Sequence, residues 1–168
     1  PKLRSTLRQG IEQLLAAGCD VMVANTINPL HLKVFKPLRH KAELFSTIIE
    51  TVADEFELPV LDVYGITDFE QLAYWSQDMV HFSGYGHITV ANRAAELLNL
   101  NYRYQLPQPQ PVTRGAVETF KWVARDVIPF FERKLKGVTS GDGMQPKHLE
   151  LEPFCAQPQH PTWQLVSA

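Results

Sequence analysis

Two short apolar runs, Asp20-Val21-Met22-Val23-Ala24-Asn25 and Val60-Leu61-Asp62-Val63, flank a long amphipathic segment, and this order constrains the fold more than any other feature of the chain. Each run carries β-branched residues between turn signals, Gly18 and Asn28-Pro29 around the first, Leu58-Pro59 and Tyr64-Gly65 around the second. Apolar runs this short and nearly unbroken suit strands of a parallel sheet buried on both faces. Between them Phe35, Leu38, Ala42, Phe45, Ile49, Val52 and Phe56 advance in alternating steps of three and four, which sets them on one helical face. Pro37 is tolerated in a first turn, so the helix is expected to begin close to it. Strand, helix, strand is a βαβ unit, whose crossover is right-handed almost without exception. Both strands then point the same way, and ligands are expected near their carboxyl ends.

The rest of the chain extends this pattern. Leu3, Leu7, Ile11, Leu14 and Leu15 predict an amphipathic helix over residues 2–17, stopped by Gly18. After the second strand come a short helix around Asp68 to Trp75, an irregular stretch from Ser76 to Ser83, and a helix starting near Gly84 to Gly86. Ile88, Ala91, Ala95 and Leu98 form the expected buried side of that last helix. Residues 1–100 are read as one α/β domain and 101–113, rich in proline and glutamine, as a linker. Residues 114–137 are read as a helical extension that Pro129 bends or splits, and 138–168 as an extended or partly disordered tail. Two strands are too few to cover these helix faces, so further strands are expected on the N-terminal side.

Composition narrows the class of protein. Of the 168 residues 45% are hydrophobic and 20% charged, with a formal net charge of -2 and a pI near 6.3. No dense Lys/Arg cluster marks a nucleic-acid partner, and no apolar stretch approaches the roughly 18 residues that span a bilayer. Cys19 and Cys155, the only cysteines, make neither a disulfide framework nor a metal-ligand pattern. Cys19 reads as a small buried hydrophobe, and the cysteine usage favours a reducing, cytoplasmic compartment. Because the chain opens at Pro1 already in a helical pattern, a natural start and any targeting segment are expected ahead of it.

The chemistry is concentrated in Asp78-Met79-Val80-His81-Phe82-Ser83-Gly84-Tyr85-Gly86-His87. A histidine three residues after an aspartate can place Nδ1 against that carboxylate, leaving Nε2 to take a proton from a nucleophile. On the spacing alone, most pairs of this kind are turn or helix-capping pairs, and Ser83 is a natural N-cap of the following helix. His81, His87 and Asp78 do not have a standard metal-ligand spacing. His31 and His40 read as surface or capping histidines, and Asn28-Pro29 either lines a cleft or makes a plain turn. Trp75, Trp122 and Phe130-Phe131 read as packing residues.

The order of these elements resembles the second half of the SGNH hydrolases, also called the GDSL lipase and acylhydrolase family. That family's last sequence block has the form Asp-x-x-His, then a small or polar residue and a Gly-His pair at a helix start, which Asp78, His81, Ser83, Gly86 and His87 fit. The helix with Trp122 and Pro129, followed by Gly137 and Thr139-Ser140-Gly141-Asp142-Gly143, resembles the C-terminal extension of a bacterial subgroup. The resemblance runs from the first helix to about Pro153. It implies a flavodoxin-like three-layer α/β/α fold with a parallel sheet, ester hydrolysis through an acyl-enzyme, a small-molecule ester substrate, and no cofactor or metal. It makes His81 the general base and Asp78 its orienting carboxylate. The family's Gly-Asp-Ser nucleophile and its oxyanion-hole Gly and Asn have no counterpart here, since Ser140-Gly141-Asp142-Gly143 has the wrong order and follows no strand. Residues 1–168 are therefore expected to be inactive alone. The rival expectation is a non-catalytic α/β binding module in which Asp78 and His81 only stabilise a loop.

Overall fold

Strand β1 (Val23–Ala24) and strand β2 (Val60–Leu61) pair in parallel, Val23 opposite Val60 and Ala24 opposite Leu61, as the βαβ pattern requires. The computed structural model describes residues 2–101, 103–105, 107–138 and 142–145. Among them the fold is mixed α/β and mostly helical, with this two-stranded sheet as its only one. Helix α1 (Lys2–Ala16) precedes β1, and helix α2 (Arg39–Glu55) crosses between the strands. Helix α3 (Gly84–Leu97) follows the loop that carries Asp78 and His81.

Pro37 lies in a 3₁₀ turn, Lys33–Leu38, that leads into α2, where its missing N–H leaves no α-helical bond unmade. Ser46, Ile49, Val52 and Ala53 form the buried side of α2. Phe45, expected on that face, is exposed, although Ile49 and Val52, four and seven residues further along the same stripe, are buried. In α1 only Ile11 is buried, and the helix is tied to α2 by Arg4 and Arg8, which both pair with Glu55. The short helix expected near Asp68 is instead two 3₁₀ turns, Thr67–Glu70 and Leu72–Tyr74.

These helices stop by a common device. Gly18, Glu57 and Asn99 follow α1, α2 and α3 with φ of 78°, 54° and 52°. At each, the amide of that residue and the one after it turn back on the last helical carbonyls: Gly18 and Cys19 N–H donate to Leu15 and Leu14, Glu57 and Leu58 to Asp54 and Ala53, and Asn99 and Leu100 to Glu96 and Ala95. Only the first stop uses the glycine that the left-handed conformation favours.

A boundary between Val112 and Thr113 separates a second compact unit. It contains helix α4 (Ala116–Trp122), a π-helical turn Val123–Val127 and helix α5 (Ile128–Leu135). The expected effect of Pro129 takes the form of that π turn, which accommodates the missing donor without breaking the helical path. Trp122 is buried, with the Arg114 guanidinium 5.3 Å from its ring centre. Phe130 and Phe131, read as packing residues, stand exposed, as do Val117, Phe120 and Leu135, which share a helical stripe with Phe131. Helical spacing aligns a stripe, but burial needs a partner surface to cover it. The tail expectation for 138–168, Cys155 included, falls mostly outside the described residues. No described helix is long and apolar enough to cross a membrane.

Candidate active site

The loop from Trp75 to Ser83 is closed at its neck like a small hairpin. Trp75 and Phe82 form an antiparallel bridge, Ser76 N–H donates to the His81 carbonyl at 2.8 Å, and Ser83 N–H donates to the Tyr74 carbonyl at 2.9 Å. Its apolar footing is an aromatic cluster in which Phe69 lies 4.5 Å from Phe82 and 6.0 Å from Trp75, centroid to centroid. Phe69, Tyr74, Trp75 and Met79 are all buried, so the loop rests on a packed floor while its polar groups face outward. The Trp75 indole N–H satisfies itself on the Phe69 carbonyl at 2.8 Å.

Asp78 divides its two oxygens between two tasks. Oδ1 accepts from Ser76 Oγ at 2.5 Å, from Val80 N–H at 2.9 Å and from His81 N–H at 3.0 Å. Oδ2 faces His81 Nδ1 at 2.6 Å. Burial pushes the Asp78 carboxyl up, but the bonds from the His81 amide, the Ser76 hydroxyl, the His81 ring and the Val80 amide together outweigh it. They hold it well below the usual carboxylate range. The group is therefore an anion at neutral pH, and Nδ1 is fixed as the protonated nitrogen of His81. The His81 side chain is 79% exposed, and nothing among the described residues bonds its Nε2. The pair thus presents a proton acceptor to solvent on a ring whose tautomer the carboxylate sets.

Ser83 begins α3 as the sequence suggests: its hydroxyl accepts from Gly86 N–H at 3.4 Å and donates to the Ala73 carbonyl at 2.7 Å. Gly86 is needed there for space, since a Cβ would sit 2.4 Å from the Tyr74 carbonyl oxygen and 2.9 Å from Phe82 Cβ. His87 is exposed and meets the Phe82 ring edge-on at 5.8 Å. Among the described residues no three His, Cys, Asp or Glu side chains are grouped to hold a metal ion.

Three other residues matter more than the sequence suggested. Asn25, at the carboxyl end of β1, is buried and uses its whole amide. It donates to Glu50 and Asp62 at 2.8 Å each and accepts from Val63 and Tyr64 N–H at 2.7 and 2.9 Å. A polar residue closing an apolar strand was the available signal. Ser76 clamps Asp78, though a serine two residues before an aspartate carries little information by itself. His31, read as a surface or capping residue, is half-buried and lies flat on Trp75, with ring centroids 3.7 Å apart and planes 12° apart. His40 is exposed in α2, as expected.

Asn28 lines a cavity of about 190 Å³ with Tyr64, Ile66, Thr67, Phe69 and Glu70, residues that follow the carboxyl ends of both strands. Its Oδ1 is buried and has no partner among the described residues. Both readings of Asn28-Pro29 describe it, since Leu30 N–H also closes a turn on the Asn28 carbonyl at 2.9 Å. Comparison of the chain with family models, with curated proteins and with solved structures finds no match.

Proposed function

We propose that this chain supplies the acid–base half of a serine ester hydrolase of the SGNH type. In this reading the fold is part of a flavodoxin-like three-layer sheet protein, and the nucleophilic serine and oxyanion donors come from sequence outside residues 1–168. One observation carries the proposal: the 2.6 Å contact of Asp78 Oδ2 with His81 Nδ1, on a ring whose opposite nitrogen is open. The cavity beside Asn28, at the strand ends where α/β proteins bind ligands, supports it.

The chemistry in this reading is two-step acyl transfer. A serine hydroxyl attacks the ester carbonyl while His81 Nε2 takes its proton. Asp78 keeps Nδ1 protonated and stabilises the imidazolium, and His81 then returns the proton to the leaving alcohol. Water attacks the acyl-enzyme with the same base. In serine proteases the equivalent carboxylate is worth about four orders of magnitude in turnover.

The test is hydrolysis of short-chain p-nitrophenyl esters by the protein extended to include a Gly-Asp-Ser block encoded upstream. His81→Ala there should lower kcat by several orders of magnitude, and unchanged turnover would sink the assignment. Residues 1–168 by themselves should show no turnover sensitive to a serine-directed inhibitor. A second reading, a binding module in which Asp78 only closes the loop, draws on the three bonds that Oδ1 accepts from the loop itself. An intact gene without a Gly-Asp-Ser block would favour it.

A further inference from the structure

Met79, between the two residues of the pair, has φ of 60° and a buried side chain. A left-handed conformation is unfavourable for a non-glycine residue and persists only where its surroundings hold it. Two hydrogen bonds do so. Met79 N–H donates to the Ser76 carbonyl at 3.0 Å, and the Met79 carbonyl faces His31 Nε2 at 2.9 Å. A carbonyl only accepts, so Nε2 of His31 must carry the proton. His31 Nδ1 is then an unprotonated nitrogen, buried and without a partner among the described residues.

Packing does not require this arrangement. A phenylalanine would fill the stack on Trp75 without leaving a buried nitrogen unpaired. What histidine adds is the bond to Met79, and that bond has reach. The Met79 carbonyl and the Val80 N–H are the two ends of one planar trans peptide, so fixing one fixes the direction of the other. The Val80 end of the plane donates to Asp78 Oδ1 at 2.9 Å. His31 is itself located by Trp75, which is anchored through the Phe69 carbonyl and the bridge to Phe82.

We infer that His31 is a positioning residue for Asp78 and His81: its Nε2–H holds the 79–80 peptide plane and thereby the Asp78 carboxylate against the His81 ring. Its importance for turnover rests on the esterase reading, but the geometric claim does not. Burial lowers the His31 pKa while the Met79 carbonyl raises it, with burial the stronger, which keeps the ring in the neutral form the arrangement uses.

Two substitutions in the chain of residues 1–168 separate donor from ring. H31F keeps the stack and removes the donor, while H31Q keeps an N–H at similar reach. The readouts are hydrogen exchange of the Val80 amide and the NMR titration of the Asp78 carboxyl carbon, with thermal unfolding alongside. H31F should speed Val80 exchange about tenfold and raise the Asp78 titration midpoint, and H31Q should bring both back toward wild type. A purely structural His31 would lower the unfolding temperature and leave both readouts where they were, which overturns the inference. So does H31Q departing as far as H31F. Should H31F not fold, H31N, whose amide stops short of Met79, takes its place with the same two outcomes. No ester enters these measurements, so failure of the hydrolase reading and failure of this one are seen separately.

Discussion

The Ser76 hydroxyl donates to Asp78 Oδ1 at 2.5 Å, on the oxygen that does not face the His81 ring. The serine therefore restrains the carboxylate without competing for the ring. Ser76→Ala should raise the Asp78 titration midpoint toward its ordinary value and leave the His81 contact in place. A bond to a charged group is worth about 1.5–3 kcal/mol, and partial solvent exposure of Asp78 brings the expected stability loss to about 1 kcal/mol. Carboxyl NMR titration and urea unfolding measure the two effects. An unmoved midpoint would mean that the hydroxyl does not hold the anion.

Asp78 also sets an acid limit on the loop. Its folded-state pKa lies below the ordinary value of 3.8, so the unfolded chain binds the proton first as pH falls. The stabilisation is fully present above 3.8 and is lost progressively below it, as the folded-state value is approached. Asp78→Asn removes this dependence. The gap in unfolding temperature between wild type and D78N should close as the pH falls below about 4. A gap that stays constant into strong acid would contradict the assignment.

Asn25→Ala would leave the Val63 and Tyr64 amides without their acceptor, and Val63 is buried. Each buried donor left unpaired costs about 1–3 kcal/mol, so a loss of about 3 kcal/mol is expected by chemical denaturation. Asn25→Asp keeps the acceptor but removes the donor to Glu50 and Asp62 and brings three carboxyl groups together. Its deficit should therefore shrink as pH falls and those groups protonate. A deficit independent of pH would argue against this contact set.

Gly86 and Gly84 make a paired control at the start of α3. Gly86→Ala places a methyl 2.4 Å from a backbone oxygen, which cannot swing aside, and overpacking of this kind costs about 1–3 kcal/mol. Gly84→Ala meets nothing within 4 Å, so it should be neutral or stabilising by up to about 0.5 kcal/mol. Thermal unfolding of the two variants should rank them in that order.

The sequence made the βαβ unit legible because β1 and β2 are apolar runs bounded by Gly and Pro, and their register leaves Val23 opposite Val60. Asp78 and His81 were legible because a three-residue spacing within one loop brings them together locally. Phe45 and the Phe130-Phe131 pair were misjudged for a common reason: a local pattern gives the angular position of a side chain and says nothing of what lies opposite. His31 stood 48 positions from the carbonyl it bonds, and no local pattern encodes a stack on Trp75 across that distance. The positive φ of Met79 was invisible for a related reason, since it is imposed by partners on both sides rather than chosen by the residue.

The four bonds of Asn25 have a consequence for local opening. The backbone ladder between the strands is two residues long, with Val23 N–H on Pro59 and Asn25 N–H on Leu61. Beyond it, the Asn25 amide grips the Val63 and Tyr64 N–H groups, which lie outside any strand. Slow-exchanging amides should therefore extend past the sheet into the turn after β2. There they should open in step with β1 rather than with the turn's own sequence neighbours.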